Sequence, residues 1–488
     1  MRSWTFSVPL EAASRTPLFA QIAQAISDDI ARGRLKQGDA LPGTRTLAET
    51  LGVHRTTVAA AYAELEAQGW VGTRRGSATF VATASPDAEP RRLSRARPSP
   101  GVPRRAGFPV ESIRERPQRD TTPGRDALLL WGGSPDLRLV PVDLLARAYR
   151  RAARGHGVHL LDYTGESRGQ KRLRAAVAAM IATARGIPAR EDDVMITRGS
   201  QMAIDLVARA LVVPGDVVAV ESPGYRLAHA VFRRAGARIV PIPVDRDGID
   251  VGELARQAAS MRIRLVYVTP HHQYPTTVVL TPTRRLALLE LARQQGMAIV
   301  EDDYDQEFHY DGRPVLPMAS ADPHGQVIYI GTFAKILAPG LRLGFVVAPE
   351  PALARMAYER ELIDRQGDGV LECAVAELLE EREIQRHARR MRRTYQARRD
   401  ALCEAIDKHL AGAISYIKPP GGMALWTKVA SDVDVDRWQQ RAVEKDVHFQ
   451  TGRHFFLDGA RAPYARFGYA MLNERELLTA VRRLAQAL

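Results

Sequence analysis

Apolar residues at Leu18, Ile22, Ile26 and Ile30 recur every four positions, a spacing that predicts an amphipathic helix stopped at Gly33. A second, shorter helix follows over Leu41 to Gly52, capped by Thr44 and closed by Gly52. A third runs from Val53 to Trp70 with Val58, Tyr62 and Leu65 on its inner face, and His54, Arg55, Thr56 and Thr57 crowd its first turn. The residues from Val71 to Val81 read as a hairpin with a basic tip. Two helices joined by a glycine-containing turn, with hydrogen-bonding side chains at the start of the second, predict a helix-turn-helix DNA reader with a wing. Beyond Leu128 the pattern changes to short continuous apolar runs alternating with helical stretches. These runs begin at Leu128, Val194, Val217, Ile239, Leu265, Ala298 and Val327. Continuous rather than alternating hydrophobicity predicts strands buried on both faces, hence an α/β domain with a largely parallel sheet under helices.

Between these regions the periodicity fails. Residues 84–125 contain eight prolines, ten arginines and five acidic residues, and are read as a linker carrying a net charge of +5. The expected organisation is therefore 1–83 DNA-binding domain, 84–125 linker and 126–488 α/β domain. Arg91, Arg92, Arg95, Arg97, Arg104 and Arg105 are either solvated spacer charges or additional phosphate contacts. The chain of 488 residues carries a net charge of +13, which permits a nucleic-acid partner without requiring one. Its two cysteines, Cys373 and Cys403, form no disulfide framework and fit a reducing compartment. Neither an export signal nor an apolar run of membrane-spanning length is evident, so a cytoplasmic protein without membrane attachment is expected.

Candidate chemistry concentrates where one apolar run ends and another begins. Val327-Ile-Tyr-Ile-Gly leads into Thr332, then Lys335 and Arg342, before a second run at Phe345. Desolvation lowers a lysine's pKa and makes its amine a competent Schiff-base nucleophile. The hydroxyl and guanidinium beside it suit a phosphate, and the combination suggests an aldehyde cofactor that carries one, pyridoxal phosphate. In parallel sheets chemistry gathers beyond the carboxyl ends of the strands. Those ends supply Gly199-Ser200-Gln201 running into a helix, then Tyr225, Tyr274, and the Asp302-Asp-Tyr304 segment. His271 and His272 form a pair for which the sequence spacing offers no third ligand, so they are read as packing or supporting residues and no metal is expected.

Pro17 to Val81 resembles the GntR family of winged helix-turn-helix regulators, through Leu41-Pro-x-x-Arg45-x-Leu-Ala, Gly52-Val-x-Arg55-x-Thr57-Val and Arg75-Gly76. The resemblance implies that Thr44, Arg45, His54, Arg55, Thr56, Thr57, Arg75 and Gly76 form the operator-DNA surface. Ala78 stands where the family often has a second wing glycine. From Ala127 onward the chain is similar to fold-type-I pyridoxal-phosphate enzymes of the aspartate aminotransferase superfamily. By that resemblance Lys335 forms the Schiff base with the cofactor, Asp302 faces the pyridine nitrogen, Tyr304 bonds the ring 3-oxygen and Tyr225 stacks on the ring. Gly199, Ser200, Gln201, Thr332 and Arg342 would hold the phosphate, Tyr163 would reach the phosphate of a partner subunit, and Arg466 would pair with a substrate carboxylate. Tyr274 stands where many aminotransferases carry asparagine, and Thr277 replaces the glycine of the usual Pro-Thr-Gly. Structural competitors remain: Asp302 as a helix cap, Tyr225 as core packing, and Arg466 as one arm of a buried ion pair.

A GntR-type reader joined by a long linker to an aminotransferase-like domain is the layout of the MocR subfamily of bacterial regulators. The resemblance implies a homodimer with exchanged reader domains, double-stranded operator DNA as partner, and an amine or amino acid as effector acting through pyridoxal phosphate. An active aminotransferase with an accessory DNA domain remains open, because binding an amine on the cofactor needs the same residues as turnover. A sensor of pyridoxal phosphate itself, controlling vitamin B6 synthesis, is a third reading.

Overall fold

The amphipathic front of the chain closes around Ile22, Ile26, Leu47, Val58, Tyr62, Leu65, Val71 and Val81, all buried. The protein is described here from a computed structural model over residues 10–11, 14, 16–73, 78–82, 104–110, 123–124, 126–155, 157–163, 165–457 and 459–488. It forms two compact units, Met1–Ile113 and Arg114–Leu488. In the first, α1 (Leu18–Ala31), α2 (Thr44–Leu51) and α3 (Arg55–Ala67) precede a hairpin of β1 (Val71–Thr73) and β2 (Thr79–Val81). Gly52, at φ 63°, ends α2 in the left-handed conformation that glycine adopts without a Cβ penalty. Thr44 does not cap α2. It is the first helical residue, Gly43 precedes it without a side-chain cap, and the Thr44 hydroxyl instead accepts from Arg55 Nε at 3.3 Å. Tyr62 of α3 donates to the Pro42 carbonyl at 2.7 Å and so ties α3 to the entry of α2. The wing tip with Arg75 and Gly76, and the linker arginines Arg91, Arg92, Arg95 and Arg97, lie outside the described residues.

The second unit opens with β3 (Leu128–Leu129), α4 (Val142–Gly155) and α5 (Lys171–Arg185). Its central sheet is built from β4 (Val194–Thr197), β5 (Val217–Ser222), β6 (Arg238–Asp245), β7 (Gly248–Ile249), β8 (Ile263–Val268), β9 (Ala298–Asp303), β10 (Val327–Thr332) and β11 (Gly344–Val347). Helices α6 (Ser200–Leu211), α7 (Arg226–Arg234), α8 (Val251–Ser260) and α9 (Pro282–Gln295) connect the strands. The spatial order is β4-β11-β10-β9-β8-β5-β6-β7. Pairs β10/β9, β9/β8, β8/β5 and β5/β6 are parallel, whereas β11 runs antiparallel to both β10 and β4. Strands β4, β10 and β11 are buried at every position, as continuous apolar runs require.

Two of the predicted runs behave differently. Strand β6 lies next to the short edge hairpin and is only partly covered. The Leu128 run does not join the central sheet; it pairs in parallel with β14 (Val447–His448). Leu130 then buries in the core of a smaller C-terminal layer, where that run finds its apolar partners. Helices α10 (Glu350–Ile363) and α11 (Gly369–Glu380) pack in the cores of the central sheet, and the smaller layer comprises α12 (Glu383–His409), β12 (Ile414–Tyr416), β13 (Ala424–Val429), α13 (Val435–Val443), β14, β15 (Gln450–Thr451), β16 (Tyr464–Gly468) and α14 (Glu474–Ala485). Its sheet runs β12-β13-β16-β15, antiparallel throughout, and presents Arg466 on β16. Among the described residues, no helix is long and apolar enough to cross a membrane.

Candidate functional site

The carboxyl ends of neighbouring parallel strands deliver the site. Asp302 lies near the end of β9, so it is a strand residue and not a helix cap. It is 4 % exposed, accepts a hydrogen bond from the Tyr267 hydroxyl at 2.6 Å through Oδ2, and leaves Oδ1 buried without a partner. Burial pushes its carboxyl up to about 6, against the opposing pull of that hydrogen bond and of the Lys335 charge. Lys335 follows β10 by three residues, in the gap before β11. Burial pulls its amine below the ordinary lysine value, while the Asp305 and Asp302 carboxylates resist and the Arg466 and Arg342 cations add to the fall. A lysine held that way gives up its proton more readily than an exposed one, which favours its amine as a nucleophile.

Around these two groups stand the aromatic residues. Tyr304, two residues after Asp302, donates to the His272 carbonyl at 2.8 Å. Tyr225 occupies the position before α7, donates to Gln201 Oε1 at 3.1 Å and packs edge-on against Tyr274 with ring centres 5.4 Å apart. Tyr274 in turn meets Tyr304 and Phe455 edge-on. Thr277 adopts φ 64°, a strained conformation for a β-branched residue and one that the glycine of the usual motif would take freely.

A polar cradle lies at the start of α6. Gly199 precedes the helix at φ 77°, and Ser200 and Gln201 form its first turn, where backbone N–H groups and the helix dipole favour an anion. A Cβ at Gly199 would lie 3.1 Å from the Arg342 guanidinium, so the cation would have to shift by a few tenths of an ångström, and the positive φ itself favours glycine there. Arg342 is anchored there by donating to the Arg198 carbonyl at 3.0 Å. Thr332, buried at the end of β10, accepts from the Ala334 N–H at 3.1 Å. Tyr163 is exposed, with the Arg365 guanidinium 4.5 Å above its ring.

Arg466 is 1 % exposed and pairs with no carboxylate among the described residues. Its Nε donates to the Pro275 carbonyl at 3.2 Å, its guanidinium carbon sits 4.7 Å from the centre of the Tyr274 ring, and its Nη1 is buried with no partner. A Cβ at Gly132 would collide with that guanidinium, and one at Gly133 would lie 3.8 Å from Lys335 Nζ. An unmatched buried cation and an unmatched buried carboxylate oxygen are costly unless something fills the space between them. Together with the anion cradle they fit a ligand with a cationic ring nitrogen, a phosphate and a carboxylate.

Several participants escaped sequence reasoning. Tyr267 is the aromatic residue of β8, a weak signal that only the β8–β9 pairing turns into a contact with Asp302. Glu221, buried and pushed up to about 7 by that burial, accepts from Thr269 and Gln273 and braces the loop carrying Tyr274. His309 approaches His271 and His272, and nothing in the spacing announces it.

In the first unit Arg45, His54, Arg55 and Thr56 are exposed at the junction of α2 and α3, with Thr44 and Thr57 half-buried beside them. His54 accepts the Thr56 N–H through Nδ1 at 3.4 Å, so one ring nitrogen serves as the α3 cap. The Arg55–Thr44 contact binds the two helices into one polar surface.

Comparison with known proteins agrees with both halves. The family of bacterial regulatory proteins called gntR matches residues 18–81, and aminotransferase class I and II matches residues 136–484. The probable rhizopine catabolism regulatory protein MocR of Rhizobium meliloti is 34% identical, covering 98% of this chain and 95% of that protein. The HTH-type transcriptional regulator TauR of Rhodobacter capsulatus is 31% identical, covering 99% of this chain and 100% of its own. Among solved structures, the α-aminoadipate aminotransferase LysN of Thermus thermophilus, complexed with N-(5'-phosphopyridoxyl)-L-leucine, superposes with a TM-score of 0.70 at 32% identity, over 75% of this chain and 92% of that one.

Proposed function

The chain belongs to the MocR subfamily of GntR-type regulators, a DNA-binding reader joined to a class I and II aminotransferase domain, and on that premise we propose that it switches operator affinity when an amino compound enters the Lys335 pocket. It is a pyridoxal-phosphate-binding, DNA-binding regulator. The observation that carries the switching proposal is the unmatched Asp302 oxygen beside Lys335 on the same chain as the reader. Pyridoxal phosphate, when bound, supplies an aldehyde that condenses reversibly with amines and a ring that withdraws electrons.

Each residue then has a task. Lys335 offers its amine to the aldehyde. Asp302, with its free Oδ1, holds a proton at the ring nitrogen, while Tyr267 fixes the carboxylate's orientation. Tyr225 would cover one ring face, Tyr274 would line the pocket wall, and Tyr304, whose hydroxyl donates to the His272 carbonyl, would redirect that proton to the 3-oxygen. The α6 terminus from Gly199 to Gln201, with Thr332 and Arg342, takes the phosphate. Arg466 aims its unpaired Nη1 at an effector carboxylate, which favours an amino acid over a simple amine. The full-length likeness to MocR-type regulators supports a homodimer in which each reader packs against the partner's large unit and Tyr163 reaches the partner's cofactor phosphate. Thr44, Arg45, Arg55, Thr56, Thr57 and the wing residues Arg75 and Gly76 contact the operator, and His54 orders the first turn of α3. An effector can act only by binding two arrangements of the readers with different affinity.

Lys335→Ala is expected to abolish the visible absorbance of the bound cofactor while still unfolding cooperatively, with a transition like that of the cofactor-free protein. An unaltered spectrum would defeat the Lys335 assignment. Transamination by the intact residue set is the second reading, and the two separate cleanly. Incubation with a panel of amino acids should change the spectrum and operator affinity without sustained keto-acid release; continuous release would make the protein an enzyme.

A further inference from the structure

Beyond the cofactor pocket the fold assembles three imidazoles from two segments distant in sequence. His271 and His272 come from the loop after β8, and His309 from the stretch after β9. One ring nitrogen from each lies within 4.8 Å of the other two. His271 and His272 are 3 % and 1 % exposed, and His309 is half-buried. The His271 and His272 rings meet edge-on with centres 4.5 Å apart, and the His272 and His309 rings lie nearly parallel at 15°.

The hydrogen bonding is that of ligands and not of packing residues. His272 Nδ1 lies 2.8 Å from Asp305 Oδ1, so the proton belongs on Nδ1 and Nε2 carries a lone pair. Among the described residues no donor meets that Nε2, and neither nitrogen of His271 has a hydrogen-bond partner. Buried polar atoms left this way call for a specific reason. A carboxylate that fixes one imidazole nitrogen while the other points into a cluster is the usual support of a metal-bound histidine. Gly421 keeps the approach to His272 open, because a Cβ there would lie 2.4 Å from Nε2. An antiparallel bridge between Gly421 and His309 holds the backbone that carries the third imidazole.

We propose that His271, His272 and His309 bind one divalent transition-metal ion, with Zn²⁺ the best match, supported by Asp305 through His272. Three neutral imidazoles and an open position suit Zn²⁺ in tetrahedral geometry. Zn–N bonds of about 2.1 Å place ligand nitrogens roughly 3.4 Å apart, so modest ring rotations close the cluster around the ion. The nearby Arg185 and Arg285 already face Glu307 and Glu301, and Asp305 offsets part of the ion's charge. The site backs onto the cofactor pocket, since the His272 carbonyl holds the Tyr304 hydroxyl.

The test uses the full-length, tag-free, cofactor-loaded protein, stripped with a chelator and titrated with Zn²⁺ against a chromophoric competitor. One equivalent per chain is expected, with X-ray absorption showing nitrogen scatterers from histidine. His271→Ala and His309→Ala should each weaken binding tenfold or more, and Asp305→Asn should weaken it less. Cofactor absorbance and the thermal transition, recorded for every variant, identify any that merely unfolds; His309→Gln, at the half-buried position, then replaces it. Less than one equivalent bound by the unaltered protein, or undiminished binding in the folded histidine variants, would overturn the proposal.

Discussion

Asp302 shows how a single side chain is prepared for a ligand. Its carboxyl, ordinarily near 3.8, is pushed up to about 6 because burial penalises the charge more than Tyr267 and Lys335 restore it. A folded pKa above the unfolded one means a stability contribution fully present below about pH 4 and lost as the pH rises through about 6. Asp303, also pushed up to about 6, adds to this in the same direction. On the proposed assignment of Asp302 to the ring nitrogen, cofactor binding runs the other way, because a protonated ring nitrogen needs the ionised carboxylate. Affinity for pyridoxal phosphate should therefore fall as the pH drops through about 6. Asp302→Asn should bind roughly 10- to 100-fold more weakly at pH 7, the range of a hydrogen bond to a charged group. Its affinity, relative to the unaltered protein, should no longer respond to that pH step. Absorbance titrations from pH 5 to 8 would check both, and parallel pH profiles would refute the ring-nitrogen role.

At the scale of elements, the proposed phosphate cradle depends on α6 beginning where it does. The strand β4, the positive φ of Gly199 and the first turn of α6 bring backbone donors beneath Arg342. Gly199→Ala would have to adopt a left-handed backbone and place a methyl 3.1 Å from that guanidinium. We expect cofactor affinity to fall by about tenfold or more, with inorganic phosphate competing less well, since one charge-assisted contact contributes about 1.5–3 kcal/mol. Fluorescence titration of the cofactor measures the change, and an affinity equal to that of the unaltered protein would move the cradle elsewhere. The reader follows the same logic on a smaller scale. Helix α3 is oriented by its buried face of Val58, Tyr62 and Leu65, which leaves Arg55 and Thr56 on the outside.

At the scale of the molecule, the two units have separate cores, one around Leu65 and the other around the large sheet and its C-terminal layer. Separate cores predict separate unfolding transitions. Saturating pyridoxal phosphate should raise only the transition of the large unit, by about 2.7 kcal/mol at a hundredfold excess over Kd. Leu65→Ala should lower only the other, by about 2–5 kcal/mol, because it empties a fully buried position in a small core. Differential scanning calorimetry distinguishes these outcomes; a single transition shifted by both changes would mean the units unfold together.

Periodicity alone determined the three helices and hairpin of the reader, because burying one helical face requires apolar residues at fixed spacing. The continuous runs likewise determined a parallel sheet, since only strands covered on both faces tolerate them. The positions of Lys335, Asp302, Tyr225 and Arg342 around the ends of the strands were legible, because local motifs mark those ends; the roles given to them are proposals. Tertiary structure decided the matters that depend on residues far apart in sequence. It put Leu128 beside Val447, outside the central sheet, and placed Tyr267 on Asp302. It left Arg466 without a carboxylate partner among the described residues, and it carried His309 to the histidine pair. Each of these is a contact between segments whose spacing the chain does not encode locally, fixed only when strand order and loop packing close around them.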